Sequence, residues 1–292
     1  PWFVNGQMQL PIQEDGTALV VWSFWHHFDK YQNLELARSL YEPLVIRPGN
    51  FMLRHRDEKT GLPLPSYDLW EERYGVHTFT TATVCVGLNA AANFAEVFGE
   101  HEKADEFRSA SEKMKKAMDN YLYSKEHGRF LRTIFPDDSG YKPDLTFDSS
   151  VYGTFAFGVY DVHDKKVTAT MDGISKNLRV KTDIGGFARY YGDPLHQVSA
   201  DVQNVPGNPW LICTLWMAQY AIAKAKTTPE LWEAVPLLQW VANRAFESGV
   251  LPEQVHPYTG QPLSVSPLAW SHGEFILTVY YLLKKLGSFS PV

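Results

Sequence analysis

The residues Pro63-Leu64-Pro65-Ser66-Tyr67-Asp68-Leu69-Trp70-Glu71-Glu72-Arg73 set aromatic rings beside adjacent carboxylates. Sugar sites have this composition, because ring faces pack on C–H surfaces while carboxylates accept from hydroxyls. Far downstream, Leu251-Pro252-Glu253-Gln254-Val255 puts a second glutamate on a segment between helices. Glycoside hydrolysis needs such a pair: a protonated carboxyl donates to the leaving oxygen, and an ionised one activates water or attacks carbon. Solvated loop acids have the same appearance, so spacing alone leaves both readings open.

Composition narrows the alternatives. The 292 residues are 45% apolar and 21% charged, a globular balance that excludes a disordered chain. A formal net charge of −6 and a pI near 5.9, with no basic tract, argue against nucleic acid as a partner and against an acidic polymer as substrate. No apolar run reaches the roughly 18 to 20 residues of a membrane span, so no membrane partner is expected. Cys85 and Cys213 each lie in an apolar run and form neither a disulfide framework nor a zinc site. His26, His27, His77, His196, His256 and His272 show no metal-ligand spacing, so neither a metal nor another cofactor is expected. A phosphate loop and a Gly-x-Ser-x-Gly elbow are both missing from the sequence.

The elements that must position these residues read as helices of two alternating kinds. Segments 16–28, 77–98, 147–160, 209–225 and 267–283 are apolar on nearly every face, whereas 33–55, 101–122, 164–178 and 229–248 carry one apolar stripe. Pro48-Gly49 is expected to bend or interrupt the second segment. Asn208-Pro209, Thr228-Pro229 and Ser266-Pro267 read as caps followed by proline in the first turn, and Gly249 reads as a helix stop. Strict alternation suits an inner ring of helices wrapped by an outer ring, an all-α toroid in one domain spanning 1–292. Twelve helices close such a ring. Nine are legible, so the expectation is an incomplete (α/α)6 toroid lacking one inner and two outer helices before residue 16. The long connections 123–146 and 179–207, with short strands near Phe130 to Phe135 and Phe187 to Tyr190, should carry functional residues.

Ser-Tyr-Asp-Leu-Trp-Glu-Glu at 66–72, Asn-Pro-Trp-Leu-Ile-Cys-Thr-Leu-Trp at 208–216, and Leu-Pro-Glu-Gln with Pro-Leu-Ala-Trp-Ser-His within 251–272 give the chain a specific likeness. It resembles glycoside hydrolase family 15, the glucoamylases and glucodextranases, over almost its whole length. The resemblance implies an (α/α)6 barrel and inverting, exo-acting hydrolysis of an α-glucan or oligosaccharide. Carried over position by position, it implies Glu71 as general acid and Glu253 as general base. Trp70, Glu72, Arg189, Asp193, Trp210 and Trp270 become substrate-site residues, and Gln254 a structural one.

One departure matters. The family's early Trp-Arg-Asp motif, whose Arg and Asp grip the terminal glucose, does not occur here, and Arg56-Asp57 reads instead as a charged turn at a helix end. The missing clamp agrees with the missing helices. It leaves as alternatives a non-catalytic carbohydrate-binding or regulatory relative, or an inactive fragment, and it implies association with an N-terminal segment or with a second copy.

Overall fold

The computed structural model describes residue 7, residues 12–138 and residues 140–289, so residues 1–6 and 8–11, where part of the expected gap falls, lie outside the described residues. The chain divides into two compact units, one formed by 1–145 with 153–160 and the other by 146–152 with 161–292.

The first unit is built on α1 (Glu14–Tyr31) and α4 (Thr78–Val97). Helix α4 is buried along most of its length, as its apolar sequence requires. At Gly87 an added Cβ would lie 3.0 Å from the Cα, Cβ and O of Ala18, so this glycine sets the closeness of α1 to α4. Helix α1 is less buried than its composition predicts: Ala18, Val21 and Phe28 face inward, whereas Val20 is exposed. Between these helices run α2 (Leu34–Tyr41) and α3 (Arg47–Arg54), joined by a π turn at Glu42–Ile46. Asn33 caps α2 by accepting from the Leu36 amide at 3.0 Å. The expected interruption at Pro48 takes the form of that π turn just upstream; an extra residue there accommodates the clash and lost donor that proline imposes. Helix α5 (His101–Ala117) covers α4 and ends in a second π turn at Met118–Leu122.

The stretch 123–146 is β structure. Strands β3 (Tyr123–Ser124) and β4 (Arg129–Phe130) pair with each other. Strands β1 (Ser66–Tyr67), β2 (Tyr74–His77), β5 (Thr133–Asp137) and β6 (Gly140–Asp144) form one antiparallel sheet in the order β1-β2-β5-β6. Segment 147–160, expected as one buried helix, holds only a 3₁₀ turn at Ser149–Tyr152 and the short α6 (Gly153–Ala156).

In the second unit, α7 (Lys165–Leu178) is capped by Asp164, which accepts from the Lys166 amide. The core lies among α8 (Leu211–Lys224), α10 (Val235–Ala242) and α11 (Ala269–Phe289), where Leu211, Leu215, Leu238, Val241, Leu251 and Val255 pack together. The amphipathic segment 229–248 is broken into α9 (Thr228–Trp232) and α10, and Gly249, at φ 81°, closes a later turn instead of ending a helix. The proline start signals are shifted. Thr227 caps α9, Pro209 belongs to a strand, and α11 begins at Ala269. A second antiparallel sheet joins β7 (Phe187–Ala188), β8 (Pro209–Trp210), β9 (Gln254–Val255) and β10 (Pro262–Leu263) in the order β10-β9-β8-β7.

Candidate active site

In the first unit, Trp70, Glu71 and Glu72 occupy the turn between β1 and β2, whose register is Ser66↔Gly75 and Tyr67↔Tyr74. Asp68 builds that turn. Its carboxylate accepts from the Glu72 amide at 2.9 Å and the Arg73 amide at 3.1 Å, and its carbonyl accepts from the Glu71 amide at 2.9 Å. These bonds hold Glu71 at φ 61°, a left-handed backbone that a glutamate adopts only when its surroundings impose it. Glu71 and Glu72 are exposed, Trp70 is 8% exposed, and Arg73 bonds the Glu72 carboxylate at 2.9 Å.

The start of α1 is tied to this turn. The Tyr67 amide donates to the Ile12 carbonyl at 2.8 Å, and the Gln13 amide group donates to the Asp68 carbonyl at 3.3 Å. Glu14 and Asp15 follow, both buried. Burial, with the charges of Asp68 and Glu71 nearby, pushes Asp15 up to about 7 although the Gly16 amide opposes this, and burial pushes Glu14 up as well. His77, at the end of β2, bridges Ser66 O at 2.9 Å and Thr133 Oγ1 at 2.8 Å. A carbonyl can only accept, so Nε2 carries a proton; burial lowers the pKa of the ring and so favours the neutral form, in which Nδ1 accepts from the hydroxyl.

In the second unit, Glu253 immediately precedes β9. Its amide donates to Val265 O at 3.0 Å, its carbonyl accepts from the Leu211 amide at 3.2 Å, and its Oε2 accepts a short hydrogen bond from the Ser264 hydroxyl. Ser264 sits at φ 62°. Two consecutive residues of α11 hold the segment before Glu253: Ser271 Oγ donates to Pro252 O at 2.9 Å, and His272 Nε2 accepts from the Leu251 amide at 3.0 Å. Because a backbone N–H can only donate, His272 presents a bare Nε2 there.

The same sheet gathers the motifs that are far apart in sequence. Trp210 pairs with Gln254 across β8 and β9, and Phe187 pairs with Trp210 across β7 and β8. Asn208, expected as a helix cap, instead donates its side-chain amide to His196 O at 2.8 Å and to Gln254 Oε1 at 2.9 Å. Gln254 is fully buried. Arg189, next after β7, makes a two-pronged ion pair with Asp193 at 2.9 and 2.7 Å, and its guanidinium lies over the rings of Tyr190 and Trp210 at 4.7 and 4.9 Å. Arg189, Asp193 and Trp210 are all buried. Trp270, in the first turn of α11, is half-buried.

Arg56 and Asp57 form the turn that follows α3: the Asp57 amide donates to Leu62 O, and its carboxylate accepts from the Lys59 amide. Among the described residues no group of three His, Cys, Asp or Glu side chains is arranged to hold a metal ion. Asp68, Ser264, Ser271 and His272 were not anticipated as site residues. Asp68, Ser271 and His272 stand inside the motifs at 66–72 and 251–272, whereas Ser264, which bonds the Glu253 carboxylate, belongs to none and leaves no spacing signal.

The site can now be set beside known proteins. The family model for glycosyl hydrolases family 15 matches residues 6–235, which include Glu71, Arg189, Asp193 and Trp210; Glu253 and Trp270 follow its end. An uncharacterised glycosyl hydrolase of Methanocaldococcus jannaschii is 28% identical over 290 residues, covering 96% of this chain and 43% of that protein. A glucoamylase of a Clostridium species is 28% identical over 263 residues, covering 82% of this chain and 36% of the enzyme. The chain therefore spans less than half the length of these relatives. Among solved structures, a bacterial glucoamylase crystallised with acarbose superposes with a TM-score of 0.79 at 23% identity, covering 98% of this chain and 43% of that one. The Saccharomycopsis fibuligera glucoamylase superposes at 0.75 with 16% identity, covering 96% of this chain and 72% of that one. These structures have the (α/α)6 toroid fold that the helix alternation predicted. With the family model matched over most of its length, the chain belongs to glycosyl hydrolases family 15.

Proposed function

We infer that this chain carries the chemistry of an inverting, exo-acting hydrolase of α-linked glucosides, with Glu71 as general acid and Glu253 as general base. The Glu71 carboxyl gives its proton to the glycosidic oxygen as the bond to the anomeric carbon breaks. Glu253 takes a proton from a water whose oxygen attacks that carbon from the opposite face, so the configuration inverts. Each glutamate thus has one proton to move, and neither becomes covalently attached.

The observation that carries the reading is the way the two carboxylates are held. Glu71 lies on a turn whose backbone is fixed by Asp68, and Glu253 lies just before a strand with its backbone fixed by Val265 and Leu211 and its carboxylate accepting from Ser264. Solvated loop acids do not require such support. The proposed substrate-contact set is Trp70 and Glu72 in the first unit and Arg189, Asp193, Trp210 and Trp270 in the second.

The substrate is an α-glucan or oligosaccharide, by analogy with the glucoamylase relatives. Association with an upstream segment or with a second copy belongs to the same proposal. It is supported by Val20 on α1 at 45% exposure and by Ile276, Tyr280 and Leu283 on α11 at 69%, 49% and 61%. Release of glucose from maltooligosaccharides, lost on Glu71→Gln and on Glu253→Gln, tests the assignment; full activity in either variant removes that residue from the mechanism.

A further inference from the structure

The indole N–H of Trp270 is already engaged. Trp270 Nε1 donates to Oε1 of Glu274, one turn later on α11, at 3.2 Å. Glu274 is only 9% exposed, and its Oε2 accepts from the Gln219 amide of α8 at 2.7 Å. The second hydrogen of that amide goes to Thr278 Oγ1 at 2.9 Å, and the Thr278 hydroxyl in turn donates to the Glu274 carbonyl at 2.6 Å. Trp216 of α8 meets Trp270 edge to face, with centroids 5.7 Å apart, and stacks on Tyr152 at 4.1 Å. One carboxylate thereby ties α8 to α11 among three large rings.

A buried carboxylate is an expensive way to join two helices, since a well-packed apolar side chain does so at least as well. Burial pushes the Glu274 carboxyl up, against the opposing Gln219, Trp216 and Trp270 groups. Its donors are specific: an amide that also fixes Thr278, and the indole of a half-buried tryptophan. Trp270 is the member of this ring cluster that is only half-buried. With the N–H committed inward, the groups it can offer a ligand are its π face and its C–H edge.

We propose that Glu274 is a positioning residue for sugar binding: it takes up the Trp270 N–H and fixes the indole plane, so that Trp270 meets a glucosyl ring by stacking and not by hydrogen bonding. This rests on the reading of Trp270 as a substrate-site residue. It sets a specificity rule, because a stacked indole accepts any pyranose that presents a C–H face clear of axial hydroxyls, whereas an indole N–H would select one hydroxyl.

The test combines hydrogen exchange with maltotriose binding in the protein with its native chain length. The Trp270 indole ¹H–¹⁵N resonance is assigned by its loss in Trp270→Phe. It should be protected from exchange in the unsubstituted protein and exchange about ten- to a hundredfold faster in Glu274→Leu and Glu274→Gln, the range for a lost charge-assisted hydrogen bond. Trp270→Phe, which keeps a ring but loses the N–H and with it the clasp, should bind maltotriose several-fold more weakly than the unsubstituted protein, about as weakly as Glu274→Leu, whereas Trp270→Ala should lose about tenfold or more. In turnover, the Glu274 variants should raise KM more than they lower kcat. An unprotected Trp270 N–H overturns the proposal, as does a Trp270→Phe variant that loses as much affinity as Trp270→Ala. Absence of maltotriose binding in the unsubstituted protein, with the N–H still protected, overturns the sugar-site reading and is thereby distinguished from failure of the clasp.

Discussion

The Ser264 hydroxyl donates to Oε2 of Glu253, from a residue held in the left-handed region at φ 62°. A serine pays in backbone strain for that position, and the hydrogen bond to the carboxylate is what it gains. Ser264→Ala and Ser264→Gly should each lower kcat, by about tenfold or more, because both remove a hydrogen bond to a charged group. The two should differ in stability. Glycine has no Cβ to strain at positive φ, so Ser264→Gly should be the more stable by about 1 kcal/mol, as read from denaturant midpoints. Equal turnover in Ser264→Ala and the unsubstituted enzyme would separate this hydroxyl from the reaction.

Glu71→Gln and Glu253→Gln should each reduce turnover by roughly 10² to 10⁴-fold, with circular dichroism and the unfolding midpoint unchanged. Azide should restore activity to Glu253→Ala by replacing the attacking water. It should do nothing for Glu71→Gln with an unactivated leaving group, since that variant lacks the proton donor.

Asp15 provides a pH signature in the first unit. Its folded pKa of about 7 lies above the ordinary 3.8, so the folded state keeps a proton that the unfolded chain has released in this window. Stability therefore falls as pH rises from about 4 to 7, with a slope of up to about 1.4 kcal/mol per pH unit from this group. Glu14, also raised by burial, adds to the slope in the same direction. Urea titrations across that range should show the decline in the unsubstituted protein and a shallower one in Asp15→Asn. Stability that rises with pH in the unsubstituted protein would contradict the burial of these carboxyls.

Arg189 and Asp193 form a pair almost removed from solvent, with side chains 3% and 1% exposed. Asp193→Ala leaves a buried guanidinium without its counter-ion and should cost about 3 to 5 kcal/mol of unfolding free energy. The double substitution Arg189→Met with Asp193→Ala should recover much of that loss while leaving substrate affinity impaired. Thermal midpoints and maltotriose binding, measured on the unsubstituted protein and both variants, separate the two effects.

Helix α11 exposes Ile276, Tyr280 and Leu283, spaced to lie along one face. Contiguous apolar surface of this kind drives association. Replacing Ile276 and Leu283 with lysine should shift light scattering toward the monomer mass in any sample where the chain self-associates; an unchanged mass would place the contact elsewhere.

Glu71 and Glu253 could be proposed from the sequence because each stands in a longer run of distinctive residues, and the buried α4 was legible because small and apolar residues occupy all of its faces. Short strands near Phe130 to Phe135 and at Phe187 were legible, but the sheets that they join were not. Strands such as Ser66–Tyr67 and Gln254–Val255 are too short to show period-two alternation, and their pairing depends on residues far apart in sequence, such as Trp210 and Gln254. Proline signals were read one step off. Thr227, not Thr228, supplies the capping oxygen, and the Asn208 side chain serves the sheet beside Glu253 instead of a helix end. Ser264 and Glu274 escaped notice for the same reason: a single serine or glutamate gains meaning only when folding gives it a partner.

The most direct test of the central claim is the configuration of the first product. Proton NMR of a maltooligosaccharide digest, recorded before mutarotation, resolves the two anomers of released glucose. Direct displacement with Glu71 as acid and Glu253 as base predicts β-glucose first, decaying toward the equilibrium mixture. Initial α-glucose would mean retention through a covalent intermediate and would contradict the account.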